Sequence, residues 1–144
     1  TCALPISLSG AQCIHDMLIQ SWGGKLRIFP ALPDVWKDVC FSGLRTEGAF
    51  KVSANRKDGK TQFVHIKSLA GEPCIVTTDI VNPIFKGKRT FTVQATTNDT
   101  YQIDLKKGEE VLIYPQGKIP DFIISPIPPV SKNHFGLKNV QTNT

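Results

Sequence analysis

The stretch "GAFKVSANRKDGKTQFVHIK", residues 48–67, decides the fold because apolar residues alternate on both sides of a turn signal. The alternating apolar residues are Phe50, Val52, Ala54, Val64 and Ile66. Strict alternation is typical of a strand with one buried face, and Asp-Gly between two such runs is a strong hairpin signal. The stretch therefore predicts an antiparallel hairpin with one apolar face.

The register of this hairpin depends on the length of its loop. A two-residue loop, Asp58-Gly59, would pair Val52 with His65 and place the two apolar rows on opposite faces. A three-residue loop over 57–59 would pair Val52 with Val64. Because a slip of one residue turns a whole strand over, we expect the three-residue loop, with Gly59 left-handed in a bulge.

Further short runs with strand character lie on both sides of the hairpin. They cover residues 25–29, 39–54, 73–80, 89–97, 100–105 and 109–115, with turn chemistry between them. Gly43 and Gly48 mark expected bulges or bends. Many short strands with turn signals favour a mainly β fold, and we predict an antiparallel, jelly-roll-like β-sandwich.

One segment has helical character, the stretch "SGAQCIHDMLIQSWGG" over 9–24. Ser9 with Gln12 forms a capping-box pattern, and Gly23-Gly24 supplies a left-handed stop. Between them a stripe with 3.6-residue spacing contains Ala11, Ile14, Met17, Leu18 and Ser21. The sequence predicts an N-terminal α-helix over about 10–22.

The segment "IFPALPDVWKD", residues 28–38, combines two prolines with large apolar side chains. Pro30 and Pro33 remove two amide donors, so the segment cannot extend a sheet. We expect a stiff corner in which Leu32 and Trp36 turn inward, and Trp36 should be largely buried against the helix. An exposed Trp36 would favour a binding role instead.

Composition and spacing argue against several classes of function. The net charge is +5, but the lysines are scattered, which disfavours a nucleic-acid partner. No apolar run approaches the roughly 20 residues of a membrane span. The cysteines and histidines lack paired metal spacing, so we expect neither a metal nor another cofactor. Cys13 and Cys74 are expected to be small buried residues, and a disulfide stays open.

Catalytic patterns are missing from the sequence, but aromatic residues offer candidate sugar platforms. No facing carboxylate pair, phosphate loop or nucleophile signature is evident. Sugars stack their apolar faces on exposed rings, and Trp22, Trp36 and Tyr114 are the candidates. For both tryptophans, packing in the interior is the competing interpretation.

The chain divides by composition into three segments. We expect a helical N-terminal segment over 1–24, a β-sandwich over 25–115 and a proline-rich extension over 116–144. The extension is expected to lie extended along the surface and to end in a polar, disordered tail. The sequence begins without a methionine, so we expect it to be a piece of a longer chain.

Residues 13–60 resemble the C-terminal part of glycoside hydrolase family 95, the α-L-fucosidase type. The family pattern E-M-L-L-Q-S, a glycine turn, L-P-A-L-P with W, G-L-R-A-R-G-G-F and W-K-D-G corresponds here to "DMLIQS", "GGKLRIFPALPDVW", "GLRTEGAF" and "RKDGK". The later strands, "EPCIV" and "IDLKKGEEV", match more weakly. The resemblance implies an (α/α)6 catalytic barrel followed by an accessory β-sandwich, with the helix as the last barrel helix.

The same resemblance carries no catalytic residue into this chain. The family's D-G-N-F-G segment falls on "PISLS", where Pro5 stands for the aspartate and Ser7 for the asparagine. Trp22 replaces the histidine that follows Q-S. The resemblance implies a non-catalytic accessory domain of an exported bacterial enzyme, with the catalytic barrel as its intramolecular partner. A carbohydrate-binding module for fucosylated or galactosylated glycans is the alternative.

Overall fold

The protein, seen in a computed structural model that describes residues 3–71 and 73–128, with side chains from Leu8 onward, contains one α-helix and ten β-strands. The helix α1 spans Ala3–Leu18. The strands are β1 (Ile19–Gln20), β2 (Leu26–Ile28), β3 (Val39–Thr46), β4 (Phe50–Lys57), β5 (Lys60–Ser68), β6 (Cys74–Thr77), β7 (Pro83–Lys86), β8 (Val93–Ala95), β9 (Thr100–Ile103) and β10 (Glu110–Pro115).

The strands form two five-stranded sheets that share one hydrophobic core. The first sheet has the order β1-β2-β6-β9-β8, and the second has the order β3-β4-β5-β10-β7. Strands β2 and β6 run parallel, and the other neighbours are antiparallel. Buried side chains of both sheets belong to a single cluster. This arrangement confirms the predicted mainly β sandwich with an N-terminal helix.

Alternation along the strands decides which face of each sheet is buried. Val52 and Ala54 of β4 are fully buried, as are Val64 and Ile66 of β5. The intervening His65 is partly exposed on the opposite face. Burying such a row stabilises the fold by roughly 1.5–3 kcal/mol per large apolar side chain. The prediction that both rows share one face is therefore confirmed.

The predicted loop of the β4–β5 hairpin was wrong. Lys57 pairs with Lys60, so the loop has two residues, and Asp58 (φ 51°) and Gly59 (φ 74°) both adopt positive φ, as a type I′ turn requires. Beyond the turn the register shifts by one residue: Arg56 faces Thr61, but the residue before it, Asn55, faces Phe63. The extra residue, Gln62, turns β5 over, so that Val52 faces Ile66 with both side chains inward.

The predicted helix bounds were also wrong, since α1 ends four residues earlier than expected. Ile19 pairs with Ile28 in the first sheet and is completely buried. Burial of Ile19 in the core outweighs another helical turn. Gly23 (φ 68°) and Gly24 (φ 71°) then turn the chain from β1 into β2. Ser9 lies inside the helix, so the capping-box pattern does not mark its start.

The proline corner after β2 is filled by Phe29 rather than by Trp36. Phe29 adopts φ 52° and is 8% exposed, although in a regular strand it would point to the face opposite Leu26 and Ile28. Its N–H donates to the carbonyl of Leu18 (2.8 Å), and its ring meets Phe41 edge to face at 5.4 Å. Leu32 packs against the core as expected. The prediction that Trp36 is largely buried was wrong, because it is 41% exposed.

The C-terminal segment 116–128 runs without regular structure over the outer face of the second sheet. Phe122 packs edge to face on Phe63 (5.4 Å) and on Tyr114 (5.6 Å). The Cys40 thiol donates to the carbonyl of Ser125 at 3.4 Å. These contacts place the segment along the surface of the sandwich, and the predicted polar tail lies outside the described residues. Strand β7 was not predicted, because Asn82-Pro83 has the chemistry of a turn.

Candidate functional site

Helix α1 presents apolar side chains that the sandwich does not cover. Leu8, Ala11, Ile14 and Leu18 follow a spacing of three and four residues, which places them on one side of a helix. Leu18 packs against the core, whereas Leu8 is 66% exposed and Ile14 is 53% exposed. Every residue from Leu8 to Ile14 is exposed. The helix is thus fixed to the sandwich at its C-terminal end and leaves its apolar side open.

Trp22, the first candidate sugar platform, lies in the short 3₁₀ turn Trp22–Gly24 and is 61% exposed. The Arg27 guanidinium stacks on its ring at 3.7 Å and donates to its carbonyl at 2.7 Å. The indole N–H donates to Gln20 Oε1 at 3.0 Å. These contacts hold the ring in place and cover part of it with a cation. The sequence argument missed Arg27, whose outward position in β2 was the available signal.

Trp36, the second candidate, lines a groove of about 930 Å³ together with Cys40, Pro126 and Pro128. The backbone N–H of Trp36 donates to the carbonyl of Pro33 at 2.9 Å, which closes a tight turn. The neighbours of Trp36 in this groove are β3 and the C-terminal segment rather than α1. Since Phe29 fills the corner, Trp36 is left at the surface, where it can take part in binding.

Tyr114, the third candidate, is only 8% exposed and is covered by Phe122. A sugar needs a free ring face for stacking, so it would reach Tyr114 only if segment 116–128 moved. The groove that Trp36 lines includes neither Tyr114 nor Trp22. The structure therefore does not combine the three aromatic residues into one platform.

The cysteines and possible metal ligands of the described residues offer little chemical reactivity. Cys74 is buried as expected, and burial raises the pKa of its thiol to about 12. Cys13 lies exposed on α1, so the expectation that it is buried was wrong. Residues 3–71 and 73–128 contain no cluster of three or more residues suited to a metal ion. They also contain no helix long and apolar enough to cross a membrane.

The ion pair of Arg89 and Glu109 fixes the turn before β10. Arg89 Nε donates to Glu109 Oε1 at 2.7 Å, and its Nη2 donates to Oε2 at 3.0 Å. The Lys106 N–H adds a bond to Oε2 at 2.8 Å. These bonds lower the pKa of the Glu109 carboxyl from 4.5 to about 2. The ion pair stabilises the conformation of the loop over 106–109.

This pKa predicts how stability depends on pH. A carboxyl whose pKa is lowered by folding stabilises the folded state above its ordinary pKa of 4.5, and that contribution disappears as the pH falls towards 2. We expect Glu109→Gln to flatten the loss of unfolding free energy over this window, as measured by urea denaturation at several pH values. Glu47→Gln is the control, because Glu47 is exposed and has no ion-pair partner among the described residues. Identical pH profiles for the wild type and Glu109→Gln would contradict the assignment.

Together, the two-sheet sandwich, the open apolar side of α1 and the scattered aromatic residues fit an accessory domain rather than a catalytic one. The family model for the glycoside hydrolase family 95 C-terminal domain matches residues 20–113. Because the match spans more than half of the chain, the protein belongs to that family. No curated protein matches the chain. The resemblance inferred from the sequence is thereby confirmed at the level of the family.

Proposed function

We propose that this chain is the non-catalytic accessory sandwich of a fucosidase-like, multidomain glycoside hydrolase, and that it buttresses the catalytic barrel. In this proposal α1 is the last helix of the barrel and the sandwich packs behind it. The barrel, which supplies the catalytic groups, is the intramolecular partner. The proposal includes an exported bacterial parent enzyme, as the resemblance implies.

The exposed apolar side of α1 is the observation that carries this proposal. Leu8 and Ile14 expose more than half of their side-chain surface, which is costly for a helix without a partner. The family match begins at Gln20, just after α1 ends at Leu18. A helix that precedes the matched domain and leaves its apolar side open fits the edge of an adjoining helical domain.

The proposal retains three segments, with one boundary placed at the end of α1. We place the start of the sandwich at Ile19 in this proposal, a placement that the burial of Ile19 in the core supports. Segment 116–128, which contacts the outer face of the second sheet through Phe122, acts as an extension of the sandwich.

Charge substitutions on α1 test the buttressing role. In this chain without the barrel, we expect the open helix side to bind a hydrophobic dye and to promote self-association. The double variant Leu8→Glu/Ile14→Glu should reduce both, as measured by dye fluorescence and sedimentation velocity. The matched control is Val81→Glu/Ile119→Glu, which adds the same charge at two residues that are each 75% exposed. An equal effect of both double variants would contradict the proposal.

A carbohydrate-binding module is the second candidate, and the exposure of Trp22 and Trp36 favours it. Its ligands would be fucosylated or galactosylated glycans. Calorimetric titration with uncharged glycans of these two kinds separates the two functions, because a buttress should give no binding heat with them. Millimolar or tighter binding that is lost in Trp22→Ala or Trp36→Ala would replace the buttress with a binding module. Hydrolysis of an aryl fucoside by this chain alone would overturn both.

A further inference from the structure

The outer face of the second sheet contains a groove of about 740 Å³ that the proposed buttressing role does not use. Its lining comes from β3, β4, β5, β10, the end of β7 and the C-terminal segment, and none of it comes from α1. A groove of this volume is in the range of small-ligand sites. The groove is therefore a separate candidate site on the domain.

The carboxylate of Glu110 lies in this groove, and its charge is neutralised by neighbouring side chains. Lys67 Nζ donates to Glu110 Oε1 at 2.8 Å, and His65 Nε2 lies 3.2 Å from Glu110 Oε2. These bonds hold the pKa of the Glu110 carboxyl below its usual range, with the Lys67 bond contributing most. The negative charge of Glu110 is thus already matched by Lys67.

Two lysines of the groove have no counter-ion among the residues that the structure describes. Lys86 and Lys88 are exposed, and neither forms an ion pair within residues 3–71 and 73–128. Lys86 faces Leu112 of β10, and Lys88, two residues beyond the end of β7, also lines the groove. The groove consequently carries an excess of positive charge at one rim.

Gly87 fixes the position of these two lysines. A Cβ atom at Gly87 would lie 2.3 Å from the ring of Phe91 and 2.8 Å from the backbone oxygen of Glu110. Only glycine allows such a close approach of this backbone to β10. The lysine rim is therefore held tightly against the sheet.

The rest of the groove combines hydroxyl groups with an apolar wall. Ser42 is an exposed lining residue, and Ser53 accepts a hydrogen bond from the Gly43 N–H at 2.9 Å while its own O–H is left to donate. Phe122 and Ile124 add apolar surface to the lining of the groove. Hydroxyl groups suit the polar edge of a sugar ring, and an apolar wall suits its C–H face.

We propose that this groove binds a saccharide unit that carries an anionic substituent, either a sulfate ester or a carboxylate. Lys86 and Lys88 pair with the anion, Ser42 and Ser53 bond to ring hydroxyls, and Phe122 contacts the apolar face of the ring. The saccharide part of the proposal follows from membership of a glycoside hydrolase family. Since the groove and α1 share no residue, this site stands or falls independently of the buttressing role.

Calorimetric titration at low ionic strength tests the site. The probes are a sulfated fuco-oligosaccharide, its desulfated form, an oligogalacturonate and inorganic sulfate. We expect at least one of the two anionic oligosaccharides to bind, and binding should weaken in 0.5 M salt because the contact is electrostatic. Preference for the sulfated sugar or for the uronate then identifies the anion.

Matched variants locate the binding. Lys86→Ala/Lys88→Ala should weaken binding at least tenfold and remove the probe-induced shift of the His65 ring resonance. Lys60→Ala/Lys118→Ala removes the same charge from exposed residues outside the groove and should leave the affinity within twofold. An unchanged thermal midpoint shows that both variants are folded.

Four results would overturn the proposal. They are the absence of binding by either anionic oligosaccharide, equal binding of the desulfated sugar, binding of inorganic sulfate as tight as that of the saccharides, and equal weakening by the two double variants. The first three remove the anionic saccharide as ligand, and the fourth removes the groove as its site.

Discussion

Replacing Phe63 with alanine is expected to lower the free energy of unfolding by about 3–5 kcal/mol, the cost typical of a fully buried phenylalanine. Phe63 lies on the outer face of the second sheet, yet it is only 1% exposed. Phe122 of the C-terminal segment covers it, with the ring centroids 5.4 Å apart. Chemical denaturation with a constant m-value measures the change.

A double-mutant cycle shows whether the C-terminal segment is responsible. Phe63→Ala and Phe122→Ala together should cost about 0.5–1.5 kcal/mol less than the sum of the single changes, as for coupled aromatic pairs. Ile84→Ala is the control, because Ile84 lies on the same sheet face and is 36% exposed. A cost for Phe63→Ala as small as that for Ile84→Ala would show that segment 116–128 does not cover the sheet in solution.

The substitution Ile66→Ala is expected to cost about 2–5 kcal/mol. Ile66 is completely buried in the second half of β5, between Val52 of β4 and Val111 of β10. Both neighbouring strands are fixed by pairing, so the cavity cannot collapse easily. Equilibrium denaturation of the variant measures the loss.

Ile66→Val is the matched variant, and its expected cost is about 0.5–1.5 kcal/mol. If Ile66→Ala were no more costly than Ile66→Val, the tight packing of Ile66 in the core would be in error. Both registers bury Ile66: in the one expected from the sequence it faces Phe50, and in the observed one it faces Val52.

Local alternation was sufficient to predict the strands and their buried faces, but it did not predict the loops. The inward rows of β4 and β5 follow directly from apolar residues at every second position. The type I′ turn with the bulge at Gln62 directs the apolar rows of β4 and β5 to the same face, as a three-residue loop would also do. The apolar pattern therefore could not distinguish the two arrangements. The choice depends on bulge geometry, to which apolar periodicity is insensitive.

Residues that contact distant parts of the chain were the ones that sequence reasoning misplaced. Ile19 leaves the helix pattern because it pairs with Ile28, and Phe29 turns inward to meet Phe41. Trp36 is displaced to the surface by the same packing. Tyr114 looked like an accessible aromatic residue, but its partner Phe122 belongs to a segment with no regular structure. Such pairings require knowledge of the tertiary contacts.

The parallel pairing of β2 with β6 limits the order in which this domain can fold. Leu26 of β2 faces Val76 of β6, and three strands of the five-stranded second sheet, β3 to β5, lie between β2 and β6 in the chain. The first sheet therefore cannot be completed until the chain has passed through the meander β3 to β5, and β9 must then still pair with β6. Contacts so distant in sequence slow folding. A ribosome would therefore synthesise β3 to β5 before β2 could pair with β6.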